Sequence, residues 1–406
     1  MSEDLSIERA VSRFFLAAPL FGVVAGAIIA ANGSSPLIDR FQPLSYALTH
    51  IVAIGLISMI AIGALFLALA ASAASFAVKR FSSVVFFALN IGVLALCYGF
   101  IAAEPIGFTL GGVAFFLSLI PFAVTIIYKL YRLQDSDSSI WLIRLALIGL
   151  AITVLLGAHL SLERCLQPAD QASVTLSDLH LSWGFVMWIS LLIMSVSRRF
   201  LPLLYATPPY PKICCQIGVP LLYFTLIILS FFVLLSIDRF YVALVVKICA
   251  AAVLTTFGVI SLIRTRRRER GDEDPSFWRF SMCCLIASAP FLFIEGERYD
   301  AMFAILFIGG FVLSFINAAV YKVMPFFSHF NLERTAAIDT LMRDSFISKN
   351  AMRLQMIFHI ASIVCLAIGI LYDPLSRVGG GLFTIGYILI FKDTLSVVLR
   401  RKLASA

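Results

Sequence analysis

The chain has 406 residues, of which 61% are hydrophobic and only 13% are charged, and its mean hydropathy is +0.99. Soluble domains carry about 25% charged residues, so this composition excludes a soluble globular protein and predicts an integral membrane protein. The net charge of +8 comes mainly from basic residues in the tails and between the apolar stretches, so we expect membrane lipid and not nucleic acid as the partner.

Apolar stretches long enough to cross a membrane follow one another along the whole chain. A helix needs about 20 apolar residues to cross roughly 30 Å of hydrocarbon. Twelve stretches meet this length, which predicts an all-α polytopic protein that forms a single transmembrane domain over residues 1–406. In chain order the predicted helices are 12–31, 44–73, 80–103, 106–130, 139–165, 176–204, 212–235, 239–265, 276–296, 299–329, 349–372 and 376–401.

The distribution of basic residues predicts the orientation. Most lysines and arginines lie in the two tails and in the gaps after even-numbered helices, whereas the other gaps hold only five arginines. By the positive-inside rule, both termini are expected on the cytoplasmic side of the membrane, which we expect to be a bacterial-type inner membrane. The first helix follows acidic residues and lacks a cleavage site of small residues, so we expect it to be retained.

Three histidines are predicted to share one depth near the outer face. His50 in helix 2, His159 in helix 5 and His180 in helix 6 all fall roughly 6–9 Å below the outer edge of the hydrocarbon. Neutral imidazole is well suited to copper and haem iron, so these residues are candidate ligands. Glu163 lies one turn after His159 and is expected to hold its second nitrogen. The alternative is that each imidazole makes an ordinary interfacial hydrogen bond.

Residues close to these histidines carry further expectations. Gly55 follows His50 by five residues and Gly184 follows His180 by four, which leaves space beside each imidazole for a flat macrocycle or a neighbouring helix. Asp178 is expected to cap the start of helix 6, where a carboxylate meets free backbone amides.

Few other ionisable residues interrupt the predicted helices. Lys247 in helix 8 is expected either to pair with an acidic group or a haem propionate, or to extend outwards to the interface. His329 and His359, in the inner half, form a possible second ligand site or make ordinary polar contacts. No carboxylate is expected near the midplane, which argues against a proton-coupled transporter or pump. The carboxylates considered are Glu104, Glu163, Asp238, Glu295, Glu297, Asp300 and Asp373, all at outer helix ends.

Four segments resemble the haem-copper oxidase subunit I-like membrane proteins, the group that includes the NnrS family. They are SYALTHIVAIGLISMIAIGALFLALA in helix 2, DLHLSWGFVMWISLLIMSVSRRFLPLLYATPPYP in helix 6, AAVYKVMPFFSHFNL in helix 10 and AMRLQMIFHIASIV in helix 11. The resemblance implies a subunit I-like bundle in which His50 ligates a low-spin haem, of the b type, and His180 ligates copper.

The chain also departs from the oxidase pattern. Helix 7 lacks the expected histidine pair, and helix 10 offers only His329, at its inner end. A binuclear oxygen-reducing centre cannot be assembled from this set. The glycine-histidine signature that follows helix 6 in NnrS-like proteins is absent as well.

The leading expectation is therefore an inner-membrane protein that binds haem, copper or both. The resemblance to NnrS-like proteins implies a role in the response to nitric oxide or redox stress, or in metal handling, and not in proton-pumping oxidation. A secondary transporter for a small solute is the alternative, since twelve helices with both termini inside fit it equally well. The third possibility is a scaffold subunit that keeps the fold but binds neither haem nor a solute. Whether the protein is an enzyme is left open.

Overall fold

The structure is a computed structural model, and it describes residues 2–72, 76–132, 138–166, 171–211, 214–267, 275–324 and 347–404. These residues are almost entirely helical, and no strand occurs among them. Eleven of the helices in the described ranges are long and apolar enough to cross a membrane. The expectation of an all-α polytopic membrane protein is confirmed.

We label the principal helices α1 to α12 in chain order. The continuous ones are α1 (Ser2–Asn32), α3 (Phe76–Ala102), α4 (Pro105–Arg132), α5 (Ser138–Leu166), α8 (Phe240–Arg266), α11 (Lys349–Gly369) and α12 (Asp373–Ala404). The composite ones are α2 (Pro43–His50, Ile51–Ser58, Met59–Ser72), α6 (Gln171–Leu181, Ser182–Ser190, Leu191–Tyr205), α7 (Cys214–Gly218, Val219–Leu234), α9 (Ser276–Ser288, Ala289–Leu292) and α10 (Glu297–Ala304, Ile305–Leu313, Ser314–Val323). A further short helix spans Ser35–Ile38.

Helix α9 is shorter than predicted. Its apolar helix covers the 17 residues Ser276–Leu292 instead of 276–296. The α-helical part ends at Ser288 and a 3₁₀ turn with Pro290 follows, since proline lacks the N–H that would continue the α-helical hydrogen bonds. At 1.5 Å per residue the helix is about 25 Å long, somewhat less than the hydrocarbon thickness.

Three helices contain long π-helical segments. These are Ile51–Ser58 in α2, Ser182–Ser190 in α6 and Ile305–Leu313 in α10. A shorter one, Cys214–Gly218, opens α7. π-Helical turns are rare and often occur at functional sites, so α2, α6 and α10 are the first helices to search for one.

The chain divides into two compact units. The first comprises Met1–Gly107 and Leu313–Ala406, and the second comprises Phe108–Val312. In the first unit α12 packs closely along α1. A Cβ atom on Gly380 of α12 would lie only 2.4 Å from the backbone nitrogen of Ala30 on α1. Small residues thus allow the two backbones to approach, as is common between membrane helices.

Candidate functional site

His50 lies directly before the π-helical segment of α2. Its Nδ1 lies 2.7 Å from the backbone carbonyl oxygen of Tyr46, and its ring centroid lies 5.3 Å from that of Phe100. A carbonyl oxygen only accepts hydrogen bonds, so the proton lies on Nδ1 and the lone pair on Nε2. This is the tautomer in which Nε2 coordinates a metal.

His180, in the second unit, lies against one face of α5. Its Nδ1 lies 2.9 Å from the backbone carbonyl oxygen of Thr153, which assigns the same tautomer as in His50. A Cβ atom on Gly157, one turn after Thr153, would lie 2.9 Å from Cε1 of His180. The imidazole therefore packs on the face of α5 that these two residues form.

His159 projects from a different face of α5. It follows Gly157 by two residues, which corresponds to a rotation of about 200° around the helix. Its side chain is 59% exposed, and its Nε2 lies 3.1 Å from Oε1 of Glu163. The predicted pairing with Glu163 is confirmed, but the structure does not bring His159 together with His180.

The outer histidines do not form a metal centre in the part of the chain that the structure describes. Across the described ranges, no three His, Cys, Asp or Glu side chains form a group that could hold a metal ion. That the three histidines share one depth and bind a metal stays a prediction.

The spaces beside His50 and His180 are occupied by neighbouring helices. A Cβ atom on Gly55 would lie 2.6 Å from the ring of Phe21 on α1, and one on Gly184 would lie 3.2 Å from the methyl group of Thr153 on α5. We expected either a flat macrocycle or a neighbouring helix beside these glycines, and the structure places a neighbouring helix beside each of them. A flat macrocycle does not fit there.

Asp178 does not cap α6, so that prediction is wrong. The helix begins at Gln171, seven residues earlier, and Asp178 lies inside it. No glycine or proline interrupts residues 171–177, so the helix extends beyond the apolar stretch from which its start was predicted. The carbonyl oxygen of Asp178 accepts a hydrogen bond from Ser182 in the next turn.

Lys247 lines a cavity of about 90 Å³ within the second unit. The cavity lies among α6 to α10, its lining is mainly apolar, and Lys247 is the one charged residue among the described residues that line it. Ser182 also lines it, but His180 lies two residues earlier and faces away. A space of this volume holds about three water molecules, which is far too little for haem.

The inner histidines have different outcomes. His329 lies outside the described residues. His359 is the middle residue of α11 and is 1% exposed. Its Nε2 lies 2.9 Å from Oγ of Ser314, and its Nδ1 lies 3.4 Å from Nδ2 of Asn317. Because an amide nitrogen only donates, Nδ1 accepts from Asn317 and Nε2–H donates to Ser314.

The hydrogen bonds around His359 continue to α12. The hydroxyl of Tyr387 donates to Oδ1 of Asn317 over 3.2 Å. One turn further along α10, the hydroxyl of Tyr321 donates to Oδ2 of Asp393 over 3.1 Å. Asp393 is 6% exposed, and its Oδ1 lies 3.7 Å from the ammonium of Lys392, whose side chain is 68% exposed. Asp393 is therefore a buried carboxylate inside a candidate membrane span, Asp373–Leu399.

These residues lie on α10, α11 and α12 within the first unit. Ser314, Asn317 and Tyr321 are spaced at i, i+3 and i+7 and so share one face of α10. Gln355 of α11 lies one turn before His359 and is fully buried. We call the set the polar line: Ser314, Asn317, Tyr321, Gln355, His359, Tyr387 and Asp393.

Of the residues in this site, only His359 was a candidate on the sequence alone. Asp393, a buried carboxylate within the span Asp373–Leu399, was missing from the carboxylates assigned to the outer helix ends. Two signals were present: a Lys-Asp pair within the apolar run of α12, and polar residues at helical spacing in α10.

The fold and this site define a polytopic α-helical membrane protein with a buried polar line in one of its units. No protein-family model matches the chain, and no curated protein matches it either. The resemblance to the haem-copper oxidase subunit I-like proteins therefore stays an expectation.

Proposed function

We propose that this chain is a secondary transporter that moves a small solute across the membrane. The observation that supports this function is the polar line of the first unit. Ionisable and strongly polar side chains are costly inside a membrane, and where they occur they usually line substrate or ion pathways. Asp393 and His359 are such residues, and their hydrogen-bond partners come from α10.

The interrupted helices agree with this proposal. Transporters commonly build their sites where a membrane helix departs from regular α-helical geometry, because backbone groups become accessible there. The π-helical segment of α10 ends at Leu313, and the polar line begins with the next residue, Ser314. The irregular backbone and the buried polar side chains thus meet at one point of α10.

An uptake experiment tests the proposal without knowledge of the solute. Proteoliposomes are incubated with a defined mixture of small metabolites, and their contents are identified by mass spectrometry. We expect the wild-type protein to accumulate at least one solute above the level in protein-free liposomes. The Asp393→Asn variant should take up this solute roughly ten times more slowly than the wild type, which is the size of a typical coupling between two sites.

The matched control is Asp178→Asn, which removes a carboxylate that lies on α6 and is exposed. This variant should transport at the wild-type rate. Transport is ruled out as the function if no solute enters above the background of empty liposomes. A role for the polar line is ruled out if Asp393→Asn transports as well as the wild type.

Haem binding is the second candidate. It is favoured by the common tautomer of His50 and His180, whose Nδ1 atoms both donate to backbone carbonyl oxygens. Metal-bound histidines usually have this arrangement, because the bond orients the ring and leaves Nε2 for the metal. A haem held by either residue would supply electron transfer or the binding of a small gas. It ranks second because Phe21 and Thr153 occupy the adjacent spaces.

An optical spectrum separates the two candidates. The protein is produced with ample haem and copper, purified, and measured in the oxidised and reduced states. For a transporter we expect no Soret band and no stoichiometric metal. A Soret band that is lost in His50→Ala or His180→Ala, but kept in the exposed His159→Ala, would replace the transport function with haem binding.

A further inference from the structure

The polar line consists of two hydrogen-bonded groups with a gap between them. One group joins Ser314, His359, Asn317 and Tyr387. The other joins Tyr321 to Asp393. Asn317 and Tyr321 are one turn apart on α10, so the Cβ atoms of the two residues lie about 6 Å from each other.

Helix contacts show on which side of His359 the gap lies. Gly369 and Gln355 of α11 lie against Ser376 and Gly386 of α12 respectively, so these two helices are antiparallel. Along α12, Tyr387 comes before Asp393. Gln355, which precedes His359 by one turn on α11, therefore lies on the side of His359 that faces the Tyr321–Asp393 group.

Gln355 has the properties needed to close the gap. Its side chain is fully buried, and both amide atoms, Nε2 and Oε1, lack a hydrogen-bond partner in the described structure. The amide lies against α12 where Gly386 has no side chain, and a Cβ atom there would lie 3.6 Å from Nε2. The amide nitrogen donates and the amide oxygen accepts, so Gln355 presents both kinds of hydrogen-bonding atom one turn from His359, on the side that leads towards Asp393.

An apolar residue of the same shape would serve packing better at this position. A buried amide without partners loses its hydrogen bonds to water and forms no others in return, which costs free energy. Leucine fills a similar volume without this cost. The arrangement is explained if the amide binds a small hydrogen-bonding species that moves along the polar line.

We propose that the polar line is a proton path between Asp393 and Ser314, in which the amide of Gln355 holds a water molecule that joins the two hydrogen-bonded groups. Tyr321 and the water carry a proton from Asp393 to Tyr387. Tyr387 gives its hydroxyl proton to Oδ1 of Asn317 as Nδ2–H of Asn317 gives one to Nδ1 of His359, and the imidic acid formed returns to the amide when its O–H proton moves back to nitrogen. Nε2–H of His359 then breaks as its proton passes to Oγ of Ser314, whose own hydroxyl proton passes to a second water molecule, and no electron is transferred. Asp393, which faces the hydroxyl of Tyr321 and the ammonium of Lys392, exchanges the proton at one end. This inference rests on the proposed transport function and names the proton as its coupling ion.

The experiment measures whether protons reach His359. The full-length protein is labelled with ¹⁵N in its histidine rings and placed in lipid bilayers, and the exchange of ring N–H for deuterium is followed by NMR. The chain has five histidines, and the signal of His359 is the one that disappears in His359→Gln. We expect the Nε2–H of His359 to exchange quickly in the wild type. In Gln355→Leu it should exchange more slowly by roughly tenfold or more.

The control is Ser376→Ala, which also removes a buried polar atom without a partner from the first unit, but outside the polar line. Its exchange should match the wild type. The melting temperature of Gln355→Leu should equal or exceed that of the wild type, which separates a blocked path from a damaged fold. If Gln355→Leu does not fold, Asp393→Asn keeps the shape of the side chain and should slow exchange as well.

The proton path is overturned if His359 is equally protected in the wild type and Gln355→Leu, or if it exchanges equally fast in both. The measurement does not involve the solute. Fast, Gln355-dependent exchange without any solute uptake would therefore reject the transport function alone. Uptake that depends on Asp393 but not on Gln355 would reject the path alone.

Discussion

The Gly380→Ala variant is expected to melt at a lower temperature than the wild type, whereas the neighbouring Gly381→Ala variant should melt at a higher one. Alanine is favoured over glycine inside a helix by about 0.5–1 kcal/mol. Gly381 should show this gain, because a Cβ atom there would meet nothing within 4 Å. The same substitution should have the opposite sign one residue earlier.

The difference arises from the packing of α12 on α1. A Cβ atom on Gly380 would lie 2.4 Å from the backbone nitrogen of Ala30 and 2.8 Å from the carbonyl oxygen of Gly26. Both are backbone atoms, so the helices must separate to accept the methyl group. Overpacking of this kind costs about 1–3 kcal/mol, which exceeds the gain in helix propensity.

Thermal unfolding of both variants in the same detergent checks this prediction. The two substitutions are chemically identical and adjacent, so any general effect of alanine cancels in the comparison. Equal melting temperatures would show that α1 and α12 do not pack at Gly380 as described.

The Asn317→Leu variant should lower the free energy of unfolding by about 2–4 kcal/mol. Asn317 donates to Nδ1 of His359 and accepts from the hydroxyl of Tyr387, and all three side chains are buried. Leucine would leave both partners without their hydrogen bonds, and each buried group left unpaired costs about 1–3 kcal/mol.

Two comparisons test the cause of this loss. Asn90→Leu is the matched control, since the amide of Asn90 donates to Phe86 in its own helix, and its effect should stay within about 0.5 kcal/mol. If the bond to Tyr387 contributes, Asn317→Leu combined with Tyr387→Phe should cost less than the sum of the two single changes. Additive effects would mean that Asn317 and Tyr387 are not coupled.

The helical architecture could be predicted because the membrane imposes a simple requirement. Backbone groups in hydrocarbon must pair within the segment, so a long apolar stretch forms a helix whatever its neighbours are. Eleven predicted spans therefore recur in the described residues. The exception is α9, where Pro290 ends the α-helix early.

The sequence identified the histidines as candidates by their residue type, but it did not predict the directions in which their side chains project. Residue counting places His159 and His180 at similar depth, and depth says nothing about the face from which a side chain projects. The structure turns His180 towards Thr153 and leaves His159 exposed beside Glu163. Pairing within one helix, as between His159 and Glu163, was predictable because it depends only on spacing.

The sequence by itself determined the helical membrane character, the approximate spans and the contacts between residues one turn apart, because each follows from local chemistry and helical periodicity. Only the tertiary structure decided which polar residues meet. The polar line joins α10, α11 and α12 through pairs such as Tyr321 with Asp393, which are 72 residues apart. Its formation depends on how three helices rotate and pack, and helix rotation is set by side-chain contacts that no single segment contains.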